Sequence, residues 1–129
     1  GVTISLVVRG ICCLKPGIPG ISENIHVRSI LGRFLEHSRV YHFHAGGKDL
    51  VFISSADWMD RNLHRRVEFA NPITDPHIKN RILNEGLKQA LKDTVNAWVL
   101  QPDGSYVRAP GDPQQAHHVQ QFLLELHSN

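Results

Sequence analysis

The segments RFLEHSRVYHF (residues 33–43) and VFISSADWMDRNLHRRVE (residues 51–68) carry the most information in this chain. They flank a Gly46-Gly47 pair, which is typical of a hairpin turn between two strands. His37 stands two residues before Arg39, and a Ser-Ser step is followed by a dense set of Arg, Asn and Glu side chains. An imidazole nitrogen, guanidinium groups that pair two oxygens at once and an orienting carboxylate are the groups needed to hold a phosphoryl group.

Length and composition favour one soluble domain. The chain has 129 residues, of which 41% are hydrophobic and 20% charged, and this is enough for a hydrophobic core. The net charge of +2 gives no support for nucleic-acid binding, although residues 61–66 form a local basic cluster. No apolar run reaches the roughly 20 residues that a transmembrane helix needs.

The cysteines and the first residues indicate the cellular compartment in which the protein is expected. Cys12 and Cys13 are adjacent, so no disulfide is predicted and a reducing compartment, the cytoplasm, is expected. No signal peptide is expected either, because Gly1–Ile4 runs directly into a strand-like pattern. The absence of an initiator Met favours a segment of a longer protein.

Apolar periodicity predicts a single α/β domain over residues 1–129, with a mixed β-sheet flanked by α-helices. Asp75-Pro76 is a helix-start signal, and Gly111-Asp112-Pro113 repeats it before an amphipathic C-terminal helix. A short helical turn is predicted at Asp57–Leu63. Strands are predicted at Thr3–Val8, Ile25–Leu31, Ser38–Phe43, Leu50–Ser54, Val67–Ala70, Trp98–Leu100 and Tyr106–Arg108.

Two residues stand out as candidates for chemistry. His37 could act as a nucleophile, an acid or base, or a donor to phosphate, since imidazole titrates near neutral pH. With nine histidines in the chain, an ordinary structural role is the alternative. Arg9 closes the first predicted strand, and ligands of α/β sheets gather beyond such strand ends.

A second group of candidates follows the predicted strand Leu50–Ser54. Small residues around Ser55 and Asp57 would let backbone N–H groups approach an anion, although a simple turn with a helix cap fits equally well. Strand alternation would place Arg66 and Glu68 on one face, where Glu68 could fix the tautomer of His37. A surface ion pair is the alternative for that pair.

The other histidines suggest no metal site. His42 and His44 lie two apart on a predicted strand, and His117-His118 opens the last helix. Four zinc ligands at matched spacing cannot be assembled from them, so no metal ligand is predicted.

The segment SSADWMDRNLHRRVE (54–68) resembles a motif of the phospholipase D superfamily, in which a His-x-Lys motif lies upstream. His37-Ser38-Arg39 would replace His-x-Lys, and Asp57 stands where that superfamily often has Asn. These departures argue against an ordinary phosphodiesterase. LVVRGICCLKPGIPGISENI (6–25), GRFLEHSRVY (32–41) and residues 54–68 together are similar to the C-terminal phospholipase D-like domain of bacterial polyphosphate kinases.

The resemblance implies a phospholipase D-like fold and the reversible transfer of the terminal phosphate of ATP to polyphosphate, with magnesium and a phosphohistidine intermediate. The phosphorylated histidine would belong to the preceding phospholipase D-like domain, outside this chain. Arg9 and His37 would contact ATP, with His37 also assisting transfer, and Arg39, Ser55, Asp57, Arg66 and Glu68 would support the site. The partners implied are ATP or ADP, polyphosphate, the preceding domain and a second copy in a homo-oligomer. The resemblance implies an enzyme of the cytoplasm, either free or associated with a membrane.

Two other functions stay open at this point. One is a phospholipase D-like phosphodiesterase or nuclease built as a dimer, and the other is a non-catalytic polyanion-binding or assembly module. Neither a Walker P-loop nor a protein-kinase glycine-rich loop is present in the sequence.

Overall fold

The computed structural model describes residues 1–128 and contains both strands and helices. In chain order they are β1 (Ile4–Val7), β2 (Ile25–Ile30), β3 (Val40–Ala45), β4 (Lys48–Ser54), α1 (Asp60–Arg65), β5 (Ala70–Pro72), α2 (Pro76–Arg81), a π-helix (Ile82–Leu87), α3 (Lys88–Lys92), β6 (Ala97–Leu100), β7 (Tyr106–Arg108), a 3-10 turn (Pro113–Gln115) and α4 (Val119–Leu126). They form two compact units, residues 1–36 with 88–128 and residues 37–87. The expected α/β class is confirmed, and the strands form two sheets where one was predicted.

The first unit contains a four-stranded mixed sheet in the order β1-β2-β6-β7. β1 pairs in parallel with β2, whereas β2–β6 and β6–β7 are antiparallel. β1 lies at the edge of this sheet, and Ile4 at its start is 41% exposed, so the strand is less buried than its apolar sequence suggests. The predicted hairpin of β6 and β7 is confirmed.

The core of the first unit lies between this sheet and helices α3 and α4. Ile30, Ala97, Ala109 and Val119 form the buried cluster, and Val7, Ala90, Val99 and Leu123 pack against it. Burial of this apolar surface is the main stabilising term for such a unit.

Asp93, which is fully buried, links the sheet side of the first unit to α4. Its Oδ1 accepts a hydrogen bond from the Asn96 N–H at 2.7 Å, and its Oδ2 accepts one from the Val119 N–H at 2.9 Å. Val119 is the first residue of α4, where backbone N–H groups lack helical partners. The Asp93 carboxylate therefore gives the first N–H group of α4 a hydrogen-bond partner, although Asp93 and Val119 are far apart in the sequence.

The second unit is built on an antiparallel sheet in the order β3-β4-β5. Gly46 and Gly47 connect β3 to β4 with φ of +57° and +78°. Two consecutive positive φ angles are the signature of the type I′ turn that suits a twisted hairpin, and glycine adopts them without strain. The hairpin predicted from this Gly-Gly pair is confirmed, with a shorter loop than the sequence suggested.

Two helix signals had different outcomes. Asp75 caps α2, since its carboxylate accepts a hydrogen bond from the Ile78 N–H at 2.9 Å. Asp112-Pro113 begins only the 3-10 turn, and the C-terminal helix starts later, at Val119, with His118 as its cap. Within residues 1–128 no helix has the length and apolar character to cross a membrane.

Candidate functional site

In the second unit, the segment that follows β4 is joined to Glu68 by hydrogen bonds. The Ser55 hydroxyl donates to Glu68 Oε2, and the Asn62 amide donates to Oε1 at 2.7 Å. The pKa of Glu68 is lowered first by the Ser55 hydrogen bond and then by the Asn62 one. Glu68 is therefore an ionised carboxylate with both oxygens in use.

Asn62 connects this carboxylate to helix α1. It is the buried residue of that short helix, with only 3% of its surface exposed. Its Oδ1 is also buried and accepts no hydrogen bond from the described residues. The hydrogen bond from the buried Asn62 amide to the Glu68 carboxylate therefore fixes the position of α1 relative to Glu68.

Arg39 and Asp57 form a second, adjacent pair in this unit. The Arg39 Nε donates to Asp57 Oδ1 at 2.8 Å and its Nη2 donates to Oδ2 at 3.2 Å, a bidentate arrangement. The hydrogen bond to Asp57 is the main cause that raises the pKa of Arg39. The pairing fixes the segment before β3 against the segment after β4.

Tyr41 supports the same segment from β3. Its hydroxyl donates to the Ala56 carbonyl at 3.2 Å, and its ring stacks on Trp58 with centroids 5.8 Å apart. Ser54 adds a local turn, because its hydroxyl accepts from the Ala56 N–H at 3.0 Å and donates to the Phe69 carbonyl. Residues 54–58 are thus held from several sides, as preorganised sites require.

His37 lies two residues before Arg39, just before β3, and is exposed. No hydrogen bond or ion pair with another of residues 1–128 engages its ring. The hypothesis that Glu68 orients His37 finds no matching contact, since the hydrogen bonds of Glu68 go to Ser55 and Asn62. Arg66 follows α1, is exposed, and acts on Glu68 only through its charge.

In the first unit, Arg9 lies two residues after β1 and is exposed. Directly after it, residues 10–15 line an open cleft of about 510 Å³ together with Leu100, Gly104 and Tyr106. Burial raises the pKa of Tyr106, with Cys12 as a smaller cause. Cys12 and Cys13 are free thiols.

The structure thus assembles Arg39, Asp57, Ser55 and Glu68 into one cluster of the second unit, while Arg9 belongs to the first unit. The cluster does not fit a resident magnesium ion, because its carboxylates already pair with Arg39, Ser55 and Asn62. Sequence reasoning missed the role of Asn62. Its position six residues before Glu68 was the available signal, but only the fold shows that the amide is buried.

Comparisons with known proteins agree on one family. Residues 1–121 match the family model described as "Polyphosphate kinase C-terminal domain 2". A protein of Neisseria meningitidis serogroup B named polyphosphate kinase is 56% identical over 127 residues, covering 98% of this chain and 18% of that protein. A polyphosphate kinase of Burkholderia vietnamiensis is 61% identical over 108 residues, covering 84% of this chain and 16% of that protein.

A solved structure is similar as well. The crystal structure of polyphosphate kinase from Porphyromonas gingivalis matches with a TM-score of 0.90 and 39% identity, covering 98% of this chain and 19% of that one. The chain therefore spans less than a fifth of the length of this structure and of the Neisseria relative. The match supports the phospholipase D-like fold class expected from the sequence.

Proposed function

The chain belongs to the polyphosphate kinase family, and we propose that it is the C-terminal domain of an enzyme that reversibly transfers the terminal phosphate of ATP to inorganic polyphosphate. The observation that carries this proposal is the match of residues 1–121 to the model of that domain. The alternatives drawn from the sequence, a phosphodiesterase and a non-catalytic polyanion-binding module, lack a comparable observation.

In this proposal Arg9 and His37 are the groups that meet ATP. Both are exposed and lie just outside strands, Arg9 after β1 and His37 before β3. The Arg9 guanidinium would neutralise phosphate oxygens, and the His37 imidazole would donate a hydrogen bond or proton to the phosphoryl group in transit. Phosphoryl transfer depends mainly on such positioning and charge stabilisation, and a guanidinium group and an imidazole each suit that task.

The cluster of Arg39, Asp57, Ser55 and Glu68 would act as a support. The bidentate pair fixes Arg39, two residues from His37, and the Ser55–Glu68 bond fixes the segment that follows β4. Internally paired charges make poor phosphate ligands, because a new ion would have to break an existing ion pair. Their role in this proposal is to hold the backbone around His37 in one conformation, with Arg66 adding positive charge nearby.

The remaining parts of the reaction would come from outside this chain. The phosphorylated histidine would lie in the preceding phospholipase D-like domain, and a second copy of the enzyme would complete a homo-oligomer. Magnesium would arrive with ATP, held largely through phosphate oxygens. We place the enzyme in the cytoplasm.

The experiment compares residues 1–129 alone with a full-length polyphosphate kinase that carries them as its C-terminal domain. We expect the chain alone to form no polyphosphate from ATP. The full-length enzyme should form polyphosphate and ADP from ATP, and in the reverse direction ATP from ADP and polyphosphate. Sustained ATP-dependent synthesis by the chain alone would contradict the assignment of the phosphohistidine to another domain. A full-length enzyme that is folded but has no such activity would contradict the function itself.

A further inference from the structure

Three potential metal ligands converge at the end of the β3–β4 hairpin, away from the cluster around Glu68. His42 and His44 lie on the same face of β3, and Asp49 is the cross-strand partner of His44 on β4. Asp49 Oδ1 lies 2.8 Å from His42 Nε2 and 2.9 Å from His44 Nδ1. All three ligand atoms lie within 4.8 Å of one another.

The register of the hairpin explains this convergence. Residues two apart on a strand share a face, and directly paired residues have neighbouring side chains, so His42, His44 and Asp49 point to one side. The Gly46-Gly47 turn, with its fixed positive φ angles, sets this register. The ligand set is therefore held by main-chain hydrogen bonds and does not depend on a flexible loop.

We propose that His42, His44 and Asp49 form a binding site for one divalent transition-metal ion of the Zn²⁺ class. Zinc binds imidazole nitrogen and carboxylate oxygen at about 2.0–2.1 Å, which in tetrahedral geometry separates neighbouring ligand atoms by about 3.3 Å. The two N–O distances would lengthen by only about 0.5 Å from those seen. Three protein ligands leave a fourth position for water or a ligand oxygen.

The donor set selects the metal. Two imidazoles and one carboxylate suit Zn²⁺, Co²⁺, Ni²⁺ or Cu²⁺, whereas Mg²⁺ prefers oxygen ligands alone. The side chains are 31%, 65% and 42% exposed, so an ion can reach them from solvent.

One nearby cation works against tight binding. Lys79 on α2 donates from its Nζ to the Asp49 backbone carbonyl at 3.0 Å, which places a positive charge beside the site. In metal sites a hydrogen bond from the second ring nitrogen of each histidine usually strengthens binding. Within the described residues neither His42 nor His44 has such a bond. We therefore expect a site of moderate affinity. It is independent of the phosphoryl-transfer function proposed above.

The test is a calorimetric titration of Zn²⁺ into the metal-free chain, carried out in a Cys12→Ser, Cys13→Ser background that removes the thiols as competing ligands. We expect one Zn²⁺ per chain and no comparable heat with Mg²⁺. His42→Ala, His44→Ala and Asp49→Asn should each weaken binding at least about tenfold, the scale of even indirect changes to metal sites. His26→Ala and Asp103→Asn, which change an exposed histidine and an exposed carboxylate of the first unit, should leave it unchanged.

Two results would overturn the proposal. One is the absence of saturable Zn²⁺ binding below about 1 mM, the weak end of specific affinities, which would make the cluster a hydrogen-bonded group only. The other is Zn²⁺ binding of unchanged affinity in each of the three substituted chains. If a substituted chain fails to fold, Zn²⁺ is added to the chain that keeps His42, His44 and Asp49, and the histidine ring signals are followed by NMR. Only the His42 and His44 ring signals should shift.

Discussion

Replacing Asp93 by alanine should be the most damaging single polar substitution in the first unit. The carboxylate is fully buried and accepts hydrogen bonds from two backbone N–H groups, those of Asn96 and Val119. Val119 is 3% exposed, so water cannot replace the carboxylate there, and a buried unpaired donor costs about 1–3 kcal/mol. Asn96 is only partly buried, and we assign its loss the lower end of that range.

With about 2 kcal/mol for the Val119 N–H and about 1 kcal/mol for the Asn96 N–H, the free energy of unfolding falls by about 3 kcal/mol. For a chain of 129 residues this corresponds to a fall of about 10 °C in the unfolding temperature. Asp93→Asn keeps one oxygen acceptor, so it should lose less stability than Asp93→Ala. Thermal and urea unfolding of both variants give the measurement.

The matched control is Asp75→Ala, which removes an exposed helix cap with one hydrogen bond, to the Ile78 N–H. Loss of such a cap costs about 1 kcal/mol. If Asp93→Ala lowered stability by no more than Asp75→Ala, the reasoning from buried, unpaired donors would be refuted.

Two further predictions concern one residue in each unit. In Gly32→Ala the new Cβ would clash with Gln120 Oε1, which accepts a hydrogen bond from the Phe34 N–H, so the free energy of unfolding should fall by about 1–3 kcal/mol. Gly10→Ala, where the new Cβ would meet open space, is the control and should change stability little. Glu68 has a pKa below its ordinary value of 4.5, so its ionised form stabilises the fold above pH 4.5 and this contribution disappears as the pH falls through the lowered pKa. Glu68→Gln should therefore flatten the loss of stability on acidification below pH 4.5, and an unchanged pH profile would contradict this.

Local signals in the sequence predicted the elements that local geometry decides. Gly46-Gly47 predicted the β3–β4 hairpin because two positive φ angles require residues of this kind. Asp75-Pro76 predicted the start of α2, since cap and first turn are contiguous in sequence. Arg39, Ser55, Asp57 and Glu68 were predicted as supporting residues of the site, and the fold pairs Arg39 with Asp57 and Ser55 with Glu68.

What the sequence could not predict depends on partners that are distant along the chain. Asp112-Pro113 carries the same start signal as Asp75-Pro76, yet the helix begins at Val119, where buried Asp93 supplies a cap from 26 residues away. Asn62 carries no local mark of burial. Asp49 joins His42 and His44 only through the cross-strand register, which a search for ligand spacing along one strand does not reveal.

The most direct measurement of the central claim is the rate of ATP formation from ADP and polyphosphate by a full-length polyphosphate kinase carrying this domain, with His37→Ala compared with the parent. His26→Ala, at an exposed histidine on β2, is the control, and circular dichroism verifies that each protein is folded. The account predicts a fall of about a hundredfold or more for His37→Ala, the usual scale for losing an acid or base, and no change for His26→Ala. An unchanged rate for folded His37→Ala would contradict the catalytic role of this domain.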